Sequence, residues 1–464
     1  MIPRRLETVL AEGTPTRQLG GLFAAAGKQL FLVGGSVRDA FLDGPTNDLD
    51  FATDARPGET VEILDGWASN IFRVGEQFGT IGAVHDGTTY EITTFRSDVY
   101  RQDSRKPVVA FSNDIETDLS RRDFTVNAMA IRIPGEDPED VPEMVDPYNG
   151  LADLATQVIR TPLDPEISFG DDPLRMLRLF RFVATLGFAP DAAAAGAVAA
   201  MRNRLSVISA ERIRDELSKL VVGPNVADGL WGLLHTGLAG EFLPELAALE
   251  LEQDPQHRHK DVLAHTVAVV AKTSPDERLR LAALFHDIGK PATREFGPQG
   301  VSFHHHEVVG ARMTRERMRA LRYPKDMVSD VSQLVFLHMR PHTYKMGWTD
   351  SAVRRYVRDA GDLLPLLNEL VRCDVTTRSA RRARAISRRI DELEERIVEL
   401  RAQEELDSLR PPIDGNEVMD YLDMPPGPEV GRVMTMLLEH RIDHGPYDVA
   451  EAHRLLDEWQ AEQS

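Results

Sequence analysis

Two aspartates separated by a single residue close the stretch GGSVRDAFLDGPTNDLDF at 34–51. On a strand, Asp48 and Asp50 project from one face while Leu49 turns into the core. Two carboxylates so close repel each other unless a cation sits between them. Mg²⁺ takes oxygen ligands, commonly one or two carboxylates together with substrate phosphates, and a pair of such ions can activate a hydroxyl nucleophile and stabilise a departing pyrophosphate. Alone, Asp-x-Asp is often just a solvated turn, so what precedes it matters. QLFLVGG (29–35) reads as a strand ending in a turn, where Gly34 and Gly35 let backbone amides approach a phosphate. Arg38 then falls in the first turn of a helix, placed for a triphosphate. Glu91 in TYEITTF (89–95) shares a strand face with Thr93 and Phe95. It is a candidate third carboxylate, although an ordinary edge-strand acid has the same signature.

A second pattern lies in DDPLRMLRLFRF (171–182). Arg175, Arg178 and Arg181 recur every three residues, and positions 176–177, 179–180 and 182–183 are all apolar. That describes a buried helix carrying one arginine stripe. Buried arginines need acceptors, so the stripe faces a ligand or, in the plainer reading, structural carboxylates.

These motifs sit in a chain of 464 residues, long enough for two to four domains. No apolar run approaches the ~18–20 residues of a membrane span, and MIPRRLETVL lacks the apolar core of a secretory signal. One cysteine, Cys373, excludes an intrachain disulfide framework and fits a reducing cytoplasm. The net charge of −20 argues against a nucleic-acid partner, but local charge counts for more. From Arg175 to Arg214 there are seven arginines and two acids, and from Arg378 to Arg401 eight arginines and five acids. Such basic stripes are compatible with RNA. Arginine supplies 46 of the 54 basic residues, which suits bidentate phosphate contacts or reflects a GC-rich genome.

Short β-type runs (29–35, 89–95 and AMAIRI at 128–133) alternate with helical segments up to about residue 160. Beyond about 164 no convincing strand is expected. The predicted fold is therefore an α+β head with a small mixed sheet, followed by all-α regions. The expected divisions are a catalytic head (1–160), a helical neck and body (161–255), a metal-binding module (256–378) and a helical tail (379–464). Nine of the fourteen histidines lie between 257 and 375, marking that module. After it Ile386, Ile390, Leu393, Ile397 and Leu400 repeat 4-3-4-3, a seam too short for a coiled coil and better used inside the chain. RPPIDG (410–415) and MPPGPEVG (424–431) break up the tail.

Taken together, the motifs resemble those of the class II tRNA nucleotidyltransferases, the CCA-adding enzymes, and of the related bacterial poly(A) polymerases. LVGGSVRDAFLDGPTNDLDFAT is similar to the family's catalytic motif, RRDFTVNAMA (121–130) to its second, DDPLRMLRLFRF to its nucleotide-selecting helix and SAERIRDEL (209–217) to its neck signature. The resemblance implies that Gly35, Arg38 and Arg122 hold phosphates and sugar, with Arg178 and Arg181 gripping nucleotide or structuring its pocket. Asp48 and Asp50, with Glu91 beside them, would be catalytic, the aspartates carrying Mg²⁺. It also implies that Asp172 and Arg175 pair with the incoming base. The amino groups of cytosine and adenine meet a carboxylate and their ring nitrogens meet a guanidinium, whereas uracil and guanine set a carbonyl against the carboxylate. Asp171 replaces the glutamate usual at that place and keeps its charge. SDVYRQDSRKPVVAF (97–111) is similar to the flexible loop that helps such enzymes switch from C to A, and its presence favours addition of the full CCA; the resemblance also implies RNA-binding helices within 161–255 and a tRNA-binding tail at 379–464.

The histidine-rich module resembles the HD phosphohydrolases. HKDVLAHT supplies His265, LAALFHDIGKP the pair His286 and Asp287, and LVRCDVTTR Asp374; His306 and His338 stand where two-metal members place further ligands. Imidazoles and carboxylates together suit Mn, Ni or Fe. The leading expectation is a cytoplasmic enzyme that adds or repairs the 3′ CCA of tRNA from CTP and ATP. The alternatives are a poly(A) polymerase, and an HD phosphohydrolase whose N-terminal half only binds RNA.

Overall fold

The computed structural model describes residues 2–42, 44, 49–99, 108–135, 137, 139–251, 262–297, 300–341, 348–375, 380–404 and 409–463. These form two compact units, Met1–Phe242 and Leu243–Ser464. No helix among the described residues is long and apolar enough to cross a membrane.

In the first unit the strands are β1 (Leu30–Val33), β2 (Asp50–Thr53), β3 (Asn70–Phe72), β4 (Thr80–His85), β5 (Thr88–Thr94), β6 (Arg96–Val99), β7 (Val108–Phe111), β8 (Ala130–Arg132), β9 (Glu143–Val145), β10 (Val158–Ile159) and β11 (Ala189–Pro190). Seven of them make a mixed sheet in the order β3-β4-β5-β2-β1-β8-β9. β2 and β5 run parallel and their neighbours antiparallel. Phe31, Val33, Ala52, Phe95, Leu119, Ala128 and Ala130 fill one core of this head. The sheet therefore matches the mixed sheet with helices expected from sequence, with more strands than the three runs that sequence marked.

Two readings need correction. The segment 97–111, expected as a loop, begins and ends in strands: β6 and β7 pair antiparallel from Arg96↔Phe111 to Val99↔Val108, and the β-branched run VVAF already carried that preference. Residues 100–107, the body of the expected loop, lie outside the described residues. Strands also continue past 164: β11 pairs with β10, and in the second unit β12 (Arg294–Gly297) and β13 (Gly300–Phe303) form an antiparallel hairpin. Strands of two to four residues fall below the length at which alternation can be read.

The helices that position the sites are α1 (Gly35–Phe41), α2 (Ile115–Ser120), α3 (Pro165–Asp171), α4 (Leu174–Leu186) and α5 (Ala210–Val221) in the first unit. In the second they are α6 (Val262–Lys272), α7 (Glu277–Phe285), α8 (His306–Ala320), α9 (Lys325–Leu337), α10 (Asp350–Ala360), α11 (Leu364–Cys373) and α12 (Ala380–Glu404). Ile390, Leu393, Ile397 and Leu400 are buried where α12 meets α10 and α11. The 4-3-4-3 seam thus serves intramolecular packing. Ile413, Val418, Leu422, Val433, Leu437, Ala452 and Leu456 build a separate small core for the last three helices.

Candidate active site and metal cluster

Gly34 ends β1 with φ +71°, a left-handed conformation open to glycine, and caps α1. A Cβ at this position would meet Arg122 Nη1 at 2.8 Å. The positive φ favours glycine, and the open space beside it lets the Arg122 guanidinium lie against the turn. The turn is tied to the next strand, because Asp50 N donates to Ser36 Oγ at 3.2 Å and Ser36 Oγ to Val33 O at 3.2 Å. β2 opens with Asp50, exposed, while Phe51, Ala52 and Thr53 are buried. Glu91 is its register partner on β5 and is also exposed. Asp48 lies outside the described residues.

Asp50 and Glu91 line a cleft of 350 Å³ whose other walls carry Arg121, Arg122, Asp172, Arg175 and Arg178. Arg96 and Arg212, which the sequence reading did not single out, line it too. Arg212 lies inside the SAERIRDEL signature; what sequence could not supply was its partner, Asp172 Oδ2, at 2.8 Å. The other oxygen, Asp172 Oδ1, accepts from Leu174 N at the start of α4, 3.1 Å away. One carboxylate therefore orients the helix and faces the cleft at once. Arg175 is buried and donates to Ser168 Oγ at 2.9 Å and to the carbonyl of Arg121. Arg121 and Arg122 in turn pair with buried Asp118 at 3.1 and 3.3 Å. Burial pushes that carboxyl up, but the two guanidiniums outweigh it and hold Asp118 below the usual carboxylate range.

The remaining arginines are held by a buried chain of polar groups. Arg38 Nη1 donates to Asn127 Oδ1 at 2.6 Å, and Asn127 Nδ2 to Asp123 Oδ1 at 2.9 Å. Asp123 Oδ2 accepts from Arg178 at 2.5 Å, and Arg178 Nη1 reaches Glu216 Oε1 at 3.0 Å. Glu216 Oε2 lies 2.8 Å from Arg181 Nε, a close charge contact rather than an aligned hydrogen bond. Burial opposes the charge of Asp123, yet Arg178 and Asn127 bring its pKa down to about 2. Burial lowers Arg181 to about 10 in spite of Glu216. The Phe182 ring completes the group, with Arg181 3.7 Å and Arg38 5.2 Å from its centroid. Arg38 and Arg181 thus brace the pocket and do not line the cleft. The acceptors that a buried arginine stripe demands are Asp123 and Glu216, which lie in sequence far from the partners they neutralise.

In the second unit six side chains converge as two triads, His265–His286–Asp374 and Asp287–His306–His338, with candidate ligand atoms in each within 4.8 Å of one another. α6 carries His265, the end of α7 gives His286 and Asp287, α8 begins with His306, α9 ends before His338, and α11 before Asp374. Asp287 spans both: Oδ2 lies 3.2 Å from His286 Nε2 and Oδ1 3.5 Å from His306 Nε2. His286, His306 and His338 each donate Nδ1–H to a backbone carbonyl, of Ala283, Phe303 and Val335, at 2.7, 2.9 and 2.6 Å. Those bonds fix the tautomer that leaves Nε2 as the ligand atom. His306 Nε2 and His338 Nε2, both lone-pair bearing, face each other at 3.3 Å, which is repulsive without a cation. Burial, helped by the charge of His286, pushes His338 down to about 3. For His286 burial acts the same way, but Asp287 and Asp374 overcome it and raise it to about 10. The two carboxylates thus favour positive charge at this place, which a divalent ion would supply while leaving the His286 imidazole neutral.

Comparison with known proteins agrees with this geometry. Residues 30–160 match the Poly A polymerase head domain, 187–250 the probable RNA and SrmB-binding site of polymerase A, and 260–399 the HD domain. The chain is 40% identical over 222 residues to a CCA-adding enzyme of Geobacillus thermodenitrificans, covering 48% of this chain and 52% of that protein. It is 39% identical over 252 residues to one of Streptococcus gordonii, covering 54% and 60%. The alignments thus span only about half the length of these curated relatives. A Bacillus stearothermophilus CCA-adding enzyme solved with CTP superimposes with a TM-score of 0.69 at 25% identity, over 97% of this chain and 99% of that one. A Thermotoga maritima CCA-adding enzyme solved with tRNA shares the fold, with a TM-score of 0.57 at 18% identity over 99% and 98%.

Proposed function

We propose that the chain is a class II nucleotidyltransferase of the kind to which the CCA-adding enzymes belong, joined to an HD domain, and that it completes or repairs the 3′ CCA of tRNA in the cytoplasm, using CTP and ATP. One observation carries the reading. Asp50 and Glu91 share a cleft with Asp172 and Arg175, so the carboxylates for chemistry and the groups for base selection border one nucleotide-sized space.

The Asp172 carboxylate, steadied by Arg212 and by the amide of Leu174, accepts from the amino group of cytosine or adenine. The Arg175 guanidinium donates to the adjoining ring nitrogen. Uracil and guanine place a carbonyl against the carboxylate, and each mispaired buried group costs about 1–3 kcal/mol. Arg122, poised over the Gly34 turn, supplies positive charge for the triphosphate. Asp50 is exposed and its carboxylate is a hard donor of the kind Mg²⁺ takes, with Glu91 beside it in register. Asp48 and Asp50 would hold Mg²⁺, which supplies activation of the RNA 3′-hydroxyl and charge neutralisation at the pyrophosphate. Placing the 3′-hydroxyl in line with the α-phosphate is the task of the walls around it.

The HD cluster fits Mn, Ni or Fe through its neutral imidazoles and shared carboxylate. A metal there supplies a water nucleophile for phosphoester hydrolysis, with cyclic phosphates or phosphomonoesters at RNA ends as the substrate class. Loss of metal from a His286→Ala/Asp287→Ala protein with unchanged hydrolysis of a 2′,3′-cyclic phosphate removes this part of the reading.

The deciding experiment extends a tRNA transcript lacking CCA, resolved to single nucleotides, with CTP, ATP or both. Two additions from CTP alone and a stop at three with both nucleotides are expected. Long A-ladders from ATP alone would make the protein a poly(A) polymerase, and no extension would leave only the HD chemistry.

A further inference from the structure

The hairpin of β12 and β13 leads directly into the HD cluster and carries an aromatic side chain that serves neither a core nor the metal site. Arg294 pairs in register with Phe303 and Phe296 with Val301, so these four side chains leave one face of the hairpin, while Glu295 and Ser302 leave the other. On the first face Phe296 is 68% exposed, and the Arg294 guanidinium lies over its ring, 4.6 Å from the centroid. A single exposed apolar side chain is ordinary on a protein surface. This one stands out by its surroundings. The guanidinium covers one side of the ring, and so large an exposure leaves the other side open to a planar partner.

That face also runs towards the metal ligands. The carbonyl of Phe303 accepts Nδ1–H of His306 at 2.9 Å. Lys290 Nζ lies 5.7 Å from the centroid of the Phe303 ring and 2.6 Å from Asp287 Oδ2, an oxygen of the carboxylate that spans both triads. Phe296 stands two residues beyond Arg294 on the strand, about 7 Å further from that end. A ring open to stacking, two cations and the cluster's shared carboxylate are thus set out along one side of one hairpin. The order suits a nucleotide, with its base on the ring and its phosphate at the cluster.

We propose that Phe296, backed by Arg294, is a stacking platform for the nucleobase of the HD cluster's substrate, which makes that substrate a nucleoside 2′,3′-cyclic phosphate, free or at an RNA end, and not a base-free phosphate ester. This rests on the reading of the HD cluster as a phosphohydrolase. Hydrolysis bonds the oxygen of water to phosphorus and breaks one P–O bond of the ring, and the freed ribose oxygen takes the proton. The platform takes no part in that step. It holds the base, and any base has a π-face to offer it.

The test uses the full chain, with the metal content of each variant measured. Replacing a stacking ring by alanine weakens binding by about 5–150-fold per base. The probes are 2′,3′-cyclic AMP and the 2,3-cyclic phosphate of methyl riboside, which has no base. In Phe296→Ala the ratio of kcat/KM for the first over the second should fall by about 5–150-fold, chiefly through KM. Phe296→Trp keeps a ring in place and gives a readout that needs no turnover. Its added indole fluorescence should be quenched by 2′,3′-cyclic AMP and not by the base-free ester. A trinucleotide with the same cyclic end, run alongside, tells an RNA end from a free nucleotide by which loses more in Phe296→Ala. An unchanged ratio in Phe296→Ala, with no quenching in Phe296→Trp, overturns the platform and leaves HD hydrolysis standing. Quenching in a chain that hydrolyses neither ester upholds the platform as a base-binding site and overturns the hydrolase reading.

Discussion

Asp50 and Glu91 stand side by side in a parallel strand pair, so their carboxylates leave the same face of the sheet into the same cleft. β5 lies inside the sheet, between β4 and β2, so Glu91 is not on an edge strand, and under the proposed function it adjoins a carboxylate of the catalytic motif. Glu91→Ala should lower single-turnover CTP addition by about 10–100-fold, the range for losing a group that orients a metal ligand. Its Mg²⁺ requirement should rise in parallel. Asp50→Ala should abolish addition. A Glu91→Ala protein with normal rate and normal Mg²⁺ titration would return Glu91 to a structural role.

Base selection can be tested at Asp172. Its pairing with Arg212 and its bond to the first turn of α4 fix the carboxylate in place. Asp172→Ala should reduce kcat/KM for CTP and ATP by about 5–150-fold, the loss of one buried hydrogen-bond partner at 1–3 kcal/mol. UTP, which gains nothing from the carboxylate, should be nearly unaffected. Discrimination should thus collapse from the favoured side. Equal losses for all nucleotides would show that Asp172 holds the helix and does not read the base.

Much of this site was legible because its chemistry is local in sequence. The strand–turn–helix around Gly34, the DLDF strand and the arginine repeat each declare themselves within twenty residues. What could not be read was pairing across distance. Asp123 and Glu216 look like ordinary acids in RRDFT and RDEL, yet they neutralise Arg178 and Arg181 from opposite sides. Arg212 and Arg96 enter the cleft only because α5 and β6 fold beside it. The strands missed after residue 164 are two to four residues long, with no room for a period of two to show. The HD cluster was the opposite case. Its residues lie from 265 to 374, but each sits in a short readable motif, and the fold brings all six together.

Asp123 makes a stability prediction with a definite sign. Its carboxyl is held at about 2 in the folded protein, against ~3.9 for an unfolded aspartate. The unfolded chain therefore takes up a proton first as pH falls. The stabilisation is present above about pH 4 and is lost between about pH 4 and 2. It is worth about 2–3 kcal/mol at neutral pH. Asp123→Asn should lower denaturant stability of the first unit by about that amount at pH 7, and the gap should narrow as pH falls through that window. A gap independent of pH would mean that the Asn127 and Arg178 contacts hold the residue without depending on its charge.

Asp287 offers one oxygen to each HD triad, which makes it the residue whose loss should affect both. His338 belongs to only one triad and is kept neutral by burial. Elemental analysis of the purified chain should find two divalent ions per molecule, falling to one in His338→Ala and to none in Asp287→Ala. Chelation should lower the thermal transition of the second unit. A ligand present at 100 to 1,000 times its Kd stabilises by about 3–4 kcal/mol, so the shift should be several degrees, and Asp287→Ala should not show it. CTP addition with Mg²⁺ restored should survive both variants, because none of the six residues lies in the unit that carries the nucleotide cleft. Full metal retention in Asp287→Ala would overturn the shared-ligand arrangement, and loss of both ions from His338→Ala would show that the triads bind as one site.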